Sequence, residues 1–229
     1  MNAIDHRYCC LSSTCCEYTT HGMCASGGKF HPTELYKKHF GDTDNNSHKE
    51  MKVHVVTPYA IDKNLGKAYN EAFERCPEDD WLCITDYDVL FLTPNSIKIL
   101  HQYAATFPKV GLFTCLTNRI HPLAKNQLAL PEPSENDSIK YWTRCASDME
   151  HFFPRYTEVT KEVSGFLMMI SKRTWNEVKF RETGECLGVD NAYCWDLISK
   201  GKSIYIMEAL LVWHTYRINN IKDKSHLIP

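Results

Sequence analysis

Trp81-Leu82-Cys83-Ile84-Thr85-Asp86-Tyr87-Asp88-Val89-Leu90-Phe91-Leu92-Thr93 is the stretch on which the reading of this chain turns. Residues 81–84 are apolar enough for a short buried strand, polarity changes abruptly at Thr85, Asp86 and Asp88, and residues 89–92 return to apolar. Two carboxylates therefore stand at the end of a predicted strand. Side chains of an extended chain alternate faces, so Asp86 and Asp88 share one side and Tyr87 takes the other. Such a pair suits a hard cation. Mg²⁺ or Mn²⁺ is commonly held by one or two carboxylates together with oxygens of a substrate phosphate. The motif alone is weak, because a chain of this composition yields about one Asp-x-Asp by chance. Asp42-Thr43-Asp44 has the same spacing in a polar, Gly/Asn/Ser-rich run with no strand to hold it. For Asp86 and Asp88 the competing reading is a solvated turn after a core strand.

Working outward, Val53-His54-Val55-Val56-Thr57 reads as the first strand, followed by Pro58, Tyr59 and a short loop to Asp62. In residues 63–76, Leu65, Ala68, Tyr69, Ala72, Phe73 and Cys76 recur at helical spacing, which predicts an amphipathic helix with Asp62 as N-cap and Pro77 as stop. Strand, helix and strand make a βαβ unit, and its parallel pairing sets Thr57, Pro58 and Tyr59 beside Thr85, Asp86 and Asp88 on one sheet edge. Open α/β sheets bind ligands at that edge.

Downstream, a helix is expected after Asn95 or Ser96 up to Pro108, a strand over 110–116, a long Pro-containing loop over 117–138 and a helix over 140–153. Tyr141, Trp142 and Phe152 in that last segment are available for stacking, although aromatics at such spacing are more often core. Val163-Ser164-Gly165-Phe166 leads into a strand reaching Ile170, with a short helix over 172–178. A second helix runs from Val189 to its stop at Gly201. Asp190 lies in that helix's first turn, where a dipole-stabilising carboxylate and a catalytic base fit equally well. Residues 203–207 and 209–213 read as strands ending at His214-Thr215-Tyr216-Arg217. A lone His after a strand is more often structural than a metal ligand.

At 229 residues, 43% hydrophobic and 12% aromatic, the chain can bury a full α/β core with an appendage. A formal net charge of -2 gives no electrostatic case for nucleic acid as a partner. The longest apolar runs fall far short of the ~20 residues that span a bilayer. The beginning is polar and Cys-rich rather than basic then apolar, so no transmembrane segment or secretory leader is expected and the default location is cytoplasmic. Of eleven cysteines, Cys9, Cys10, Cys15, Cys16 and Cys24 crowd the start, with His6, His21 and His31 nearby. Their adjacent pairs do not match a C-x₂₋₄-C knuckle, which leaves structural zinc the lesser reading and reduced thiols the better one. Residues 1–50, with one short helix expected over 32–40, read as a Cys/His-rich appendage, and residues 51–229 as the functional domain. The dispersed cysteines, Cys76 to Cys194, read as small core residues.

Several segments, taken in order, resemble the GT-A-fold glycosyltransferases, in particular the large family 2-like group. Asn64-Leu65-Gly66-Lys67-Ala68-Tyr69-Asn70 is similar to that group's Asn-x-Gly-x-Ala-x-Asn helix start, and residues 81–92 resemble its strand bearing Asp-x-Asp. Ser164-Gly165-Phe166 looks like the acceptor-side segment, residues 188–197 like the segment with the base, and Trp213-His214 like the late metal-binding His. The resemblance covers roughly residues 51–217. It implies a GT-A-like (Rossmann-like), mixed but mainly parallel central sheet flanked by helices. It also implies Mn²⁺ or Mg²⁺ on Asp86, Asp88 and His214, and a nucleotide-diphosphate sugar against Thr57, Pro58, Tyr59, Asp62, Asn64, Lys67, Asp86, Tyr87 and Arg217. Gly165 and Phe166 would then face the acceptor, a glycan, lipid-linked or protein hydroxyl, with Asp190 as the base of an inverting transfer. Two features depart from the family. Only residues 58–63 stand where it usually places a helix and a strand whose acidic residue contacts the nucleobase, and its Glu-Asp pair is Val189-Asp190 here.

Two other readings use the same residues. One is a non-catalytic nucleotide-sugar or glycan-binding protein on a degenerate GT-A fold. The other is a sugar-phosphate nucleotidyltransferase, which calls for a Gly-rich phosphate loop after the first strand, where residues 57–63 contain no Gly.

Overall fold

The computed structural model describes residues 51–131 and 138–216; the cysteine-rich segment 1–50, with its zinc and helix readings, and Arg217 lie outside the described residues. Along the chain run β1 (Val53–Val56), α1 (Leu65–Glu74), β2 (Trp81–Thr85), β3 (Val89–Phe91), α2 (Ser96–Thr106) and β4 (Leu112–Thr117). A 3-10 segment, Pro122–Gln127, interrupts the expected loop before α3 (Ile139–Met149), a 3-10 turn (Glu150–Phe152) and β5 (Tyr156–Val159). Then come β6 (Leu167–Ser171), α4 (Lys172–Glu177), α5 (Val189–Ser199) and β7 (Ile204–His214).

The predicted βαβ unit is present: β1 lies parallel to β2, with Val53 opposite Trp81 and Val56 opposite Ile84. The rest of the sheet corrects the expectation of a mainly parallel arrangement. Its order is β1-β2-β6-β4-β7-β3, with β5 also on β7. β4 is parallel to β7, but β6 is antiparallel to both its neighbours, and β3 and β5 are antiparallel to β7. The result is a mixed sheet. An apolar run reports that a strand is buried and says nothing about the direction in which it is threaded.

The two strands expected over 203–213 are one strand, β7. Against β4 its register jumps from Cys115 opposite Met207 to Leu116 opposite Leu211, so residues 208–210 bulge at the place where Glu208 breaks the apolar run. Below the bulge β7 takes β5, and above it β3, so the sheet curls along this strand.

Alternation sorts the core into two layers. Trp81, Cys83, Phe113, Leu167 and Met169 pack under α2 with Ile99, Leu100 and Tyr103. Leu82, Ile84, Leu112, Met168 and Ile170 pack on the opposite side with Tyr69 and Phe73 of α1, Trp175 of α4, and Tyr193 and Leu197 of α5. Helices thus cover both faces, as an α/β fold requires. Among the aromatics of 140–153, Trp142 is wholly buried against Leu211 and Trp213, while Tyr141 and Phe152 are exposed. Cys76, Cys83, Cys115 and Cys194 are core residues as expected; Cys186 is exposed, its Sγ on the Lys63 carbonyl at 3.2 Å.

Pairing directions decide where a site can form. β1, β2, β4 and β7 all run one way and β6 runs the other. The C-terminal ends of the four therefore share an edge with the start of β6.

Candidate functional site

Asp86 and Asp88 sit at that edge in a turn, which replaces the extended alternation read from the sequence. Val89 N–H donates to the Asp86 carbonyl at 3.3 Å, and Tyr87 stands at the tip, 91% exposed. The two carboxylates still face a common point because both ends of the turn are tied down. Asp86 N–H donates to the Phe166 carbonyl at 2.9 Å, and Thr215 donates to the Asp88 carbonyl through its N–H at 3.0 Å and its hydroxyl at 3.1 Å. β3 pairs with β7 so that Val89 lies opposite His214. That register carries the imidazole to Asp88, with Nε2 at 3.4 Å from Oδ1.

One carboxylate oxygen each from Asp86 and Asp88 and one nitrogen of His214 lie within 4.8 Å of one another. His214 is buried and held on three sides. Its N–H donates to Asn118 Oδ1 at 2.7 Å, its ring stacks on Phe166 with centroids 5.0 Å apart, and Nδ1 lies 3.2 Å from the Arg119 carbonyl. A carbonyl only accepts, so Nδ1 carries a proton and Nε2 is the ring nitrogen turned to the carboxylates. Two carboxylates and an oriented imidazole form a donor set that fits a divalent cation.

The two carboxyls are not equivalent. Burial pushes Asp86 up from 3.8 to about 6, against the pull of His214 and with the help of the negative charges of Asp88 and Asp190. Burial pushes Asp88 up as well, but the hydrogen bond and charge of His214, joined by the backbone N–H groups of Asp88 and Tyr216, outweigh it and hold Asp88 below the ordinary aspartate value. A cation placed between them would favour the charged form of Asp86 against its burial and offset the repulsion from Asp88.

Asp190 is brought to the same edge by α5, whose N-terminus is set by Gly188 at φ +78°. Its Oδ2 accepts from Gly165 N–H at 2.8 Å and its Oδ1 from Asn191 N–H at 3.0 Å, so it takes up a first-turn N–H of its own helix and reaches across to the start of β6. A Cβ at position 165 would stand 2.7 Å from the Asp190 Cβ, so glycine is what permits this approach. Phe166, expected to face an acceptor, is buried and backs His214 instead.

Residues expected around a nucleotide are looser. The Thr57 and Thr85 hydroxyls meet at 3.0 Å, which ties the ends of β1 and β2 together. Tyr59 is 84% exposed, beside a groove of about 530 Å³ whose walls include Thr57, Pro58, Ala68 and Leu82. Asn64, not Asp62, caps α1: its side chain accepts from Lys67 N–H at 3.2 Å, while Asp62 accepts from Asn64 N–H at 3.1 Å. Lys67 spans Asp62 at 3.7 Å and Glu71 at 4.0 Å, half exposed. Gly66 and Asn70 of the same motif serve packing. A Cβ on Gly66 would fall 2.0 Å from the Arg181 carbonyl, and buried Asn70 bonds Trp175, Phe180 and Glu182.

The chain matches no protein-family model and no curated relative. Function is therefore argued from the chemistry of the site. Asn118 and Arg119 are site residues that no motif marks. Asn118 and Arg119 orient His214 and were signalled only by a polar triplet, Thr117-Asn118-Arg119, closing an apolar strand. Tyr69 is in the core, as its helical spacing predicts, and burial first, then the charges of Asp86 and Asp190, keep its hydroxyl protonated well beyond the usual range. No helix among the described residues is long and apolar enough to cross a membrane.

Proposed function

We propose that this chain is a metal-dependent glycosyltransferase that moves a sugar from a nucleotide-diphosphate donor to an acceptor hydroxyl with inversion. The observation that carries the reading is the convergence of Asp86, Asp88 and His214 at the C-terminal sheet edge, with Asp190 tied alongside through Gly165. The GT-A-like order of segments adds to it. Asp86, Asp88 and His214 would hold Mn²⁺ or Mg²⁺, and the imidazole tilts the preference to Mn²⁺. Such an ion, when bound, supplies charge neutralisation for a departing nucleoside diphosphate.

Asp190 takes the proton of the acceptor hydroxyl; the oxygen bonds to the anomeric carbon as the bond to the diphosphate breaks on the opposite face. The Gly165 N–H fixes the carboxylate's orientation and leaves each oxygen a second lone pair. Phe166 shields His214 from water, and Thr57 and Thr85 brace the donor side of the edge.

A second reading, a nucleotide-sugar or glycan-binding protein without transfer, draws on one observation. β1 is an edge strand among the described residues, so nothing there walls the outer side of a nucleobase. Turnover of nucleotide sugars with and without Mn²⁺ separates the two. Asp88→Ala should lose metal-dependent donor turnover, and Asp190→Asn should keep donor binding while transfer falls about 10²–10⁴-fold. Wild-type rates in either variant would remove the assigned role.

A further inference from the structure

The tripeptide Ser164-Gly165-Phe166 touches three of the four groups of the candidate site, Asp190, Asp86 and His214. Gly165 N–H holds Asp190, the Phe166 carbonyl receives Asp86 N–H, and the Phe166 ring backs His214. Its own sequence does not fix its shape: it is a loop before β6 with a glycine at its centre, and glycine loosens a backbone. The restraint comes from elsewhere. Gln127, the last residue of the 3-10 segment, is wholly buried, and its amide grips both polar groups of the Ser164 backbone. Oε1 accepts from Ser164 N–H at 2.8 Å, and Nε2 donates to the Ser164 carbonyl at 3.2 Å.

The same Nε2 donates to the hydroxyl of Thr114, a fully buried β4 residue, at 2.8 Å. Ser164 N–H needs an acceptor and its carbonyl needs a donor, so only one orientation of the amide satisfies both. Burying an amide costs free energy unless its bonds are made, and here they are made to the one segment that joins Asp190, Asp86 and His214.

We infer that Gln127 is a positioning residue, which sets the Ser164-Gly165-Phe166 backbone and through it the aim of the Asp190 carboxylate at the acceptor. This rests on the proposed role of Asp190. A displacement of about 1 Å in such a group is enough to cost roughly 10²-fold in rate. Gln127→Met keeps side-chain length and removes every one of these hydrogen bonds; Thr114→Val is milder and removes only the anchor.

Three measurements are made on the full chain: transfer kinetics, Mn²⁺ affinity by titration, and amide hydrogen exchange of Gly165 by NMR. In Gln127→Met, kcat should fall about 10²-fold while donor KM and Mn²⁺ affinity stay within about threefold, because Gln127 bonds Ser164 and not Phe166, which keeps its own tie to Asp86 N–H at the start of β6. Gly165 N–H should exchange faster than in the wild type while β6 amides keep their protection. Thr114→Val should move kcat and Gly165 exchange in the same direction by severalfold, and it decides the matter if Gln127→Met does not fold. Wild-type kcat in a folded variant would overturn the inference, as would losses of kcat and Mn²⁺ affinity that track a fall in Tm together. If the wild type itself shows no metal-dependent turnover, the glycosyltransferase reading fails separately. Gly165 exchange then tests the clamp alone, faster exchange in the variants upholding it and unchanged exchange ending it.

Discussion

Two sides of the same sheet edge are built differently. The triad side is cross-braced by long-range contacts: β3 on β7, Thr215 on the Asp88 carbonyl, Asn118 and Arg119 on His214, and Phe166 on Asp86. The β1 side, from Thr57 to Lys67, has three long-range ties, Thr57 on Thr85, Leu65 N–H on the Glu185 carbonyl and Cys186 Sγ on the Lys63 carbonyl, and its remaining bonds are short-range. Asp62 accepts from Asn64, Asn64 caps its own helix, and Lys67 pairs with neighbours on its own stretch. Lys63 there takes a positive φ of 60°, and Tyr59 and Ile61 stand in solvent. Rigid donors suit a metal, which demands fixed geometry, whereas a loosely walled loop suits a ligand that supplies its own shape.

The largest effect should separate the two sides outright. His214→Ala should weaken Mn²⁺ binding at least about 100-fold, measured by calorimetric titration, while Lys67→Ala should change it less than about threefold. Comparable losses would mean that the β1 side shares in holding the ion.

Protons offer a sharper cut within the triad. Asp86 has its pKa raised in the fold, so its contribution to stability is full below 3.8 and is lost as pH rises through about 6. Asp88, depressed by His214, has the opposite sign: its contribution is present above the ordinary aspartate value and lost as pH falls. Without a cation, Asp86→Asn should therefore gain thermal stability relative to wild type between about pH 4.5 and about pH 7.5. In the wild type, Mn²⁺ affinity should drop about tenfold per pH unit below about pH 6. A flat difference between the two proteins would show that Asp86 is not perturbed by burial.

The smallest expected effect lies on the loose side. Tyr59→Ala should leave stability within about 0.5 kcal/mol, since the ring is exposed, and raise the donor KM severalfold if it borders the nucleotide. A stability loss well beyond that value would place Tyr59 in packing that its exposure does not suggest.

Much of this was legible in residue order. The apolar run closing on Asp86 and Asp88, the helical spacing from Leu65 to Phe73 and the βαβ reading each depend on periods of two or 3.6 residues, which local sequence carries. Those periods also located the break in β7, at Glu208, though not that one strand continues through it. They misplaced the α1 cap, because Asp62 and Asn64 are both capping types and the choice depends on where the loop turns.

By itself, the sequence determined which faces are buried and that two carboxylates end a core strand, because burial of alternate side chains is written in nearest-neighbour order. Only the tertiary structure decided that β6 runs against its neighbours and so starts where they finish. It also decided that β3 pairs with β7 in the register that carries His214 to Asp88, and that Gln127 reaches Ser164. Strand direction and partner are set by connections between residues far apart in the chain, and no local period records them.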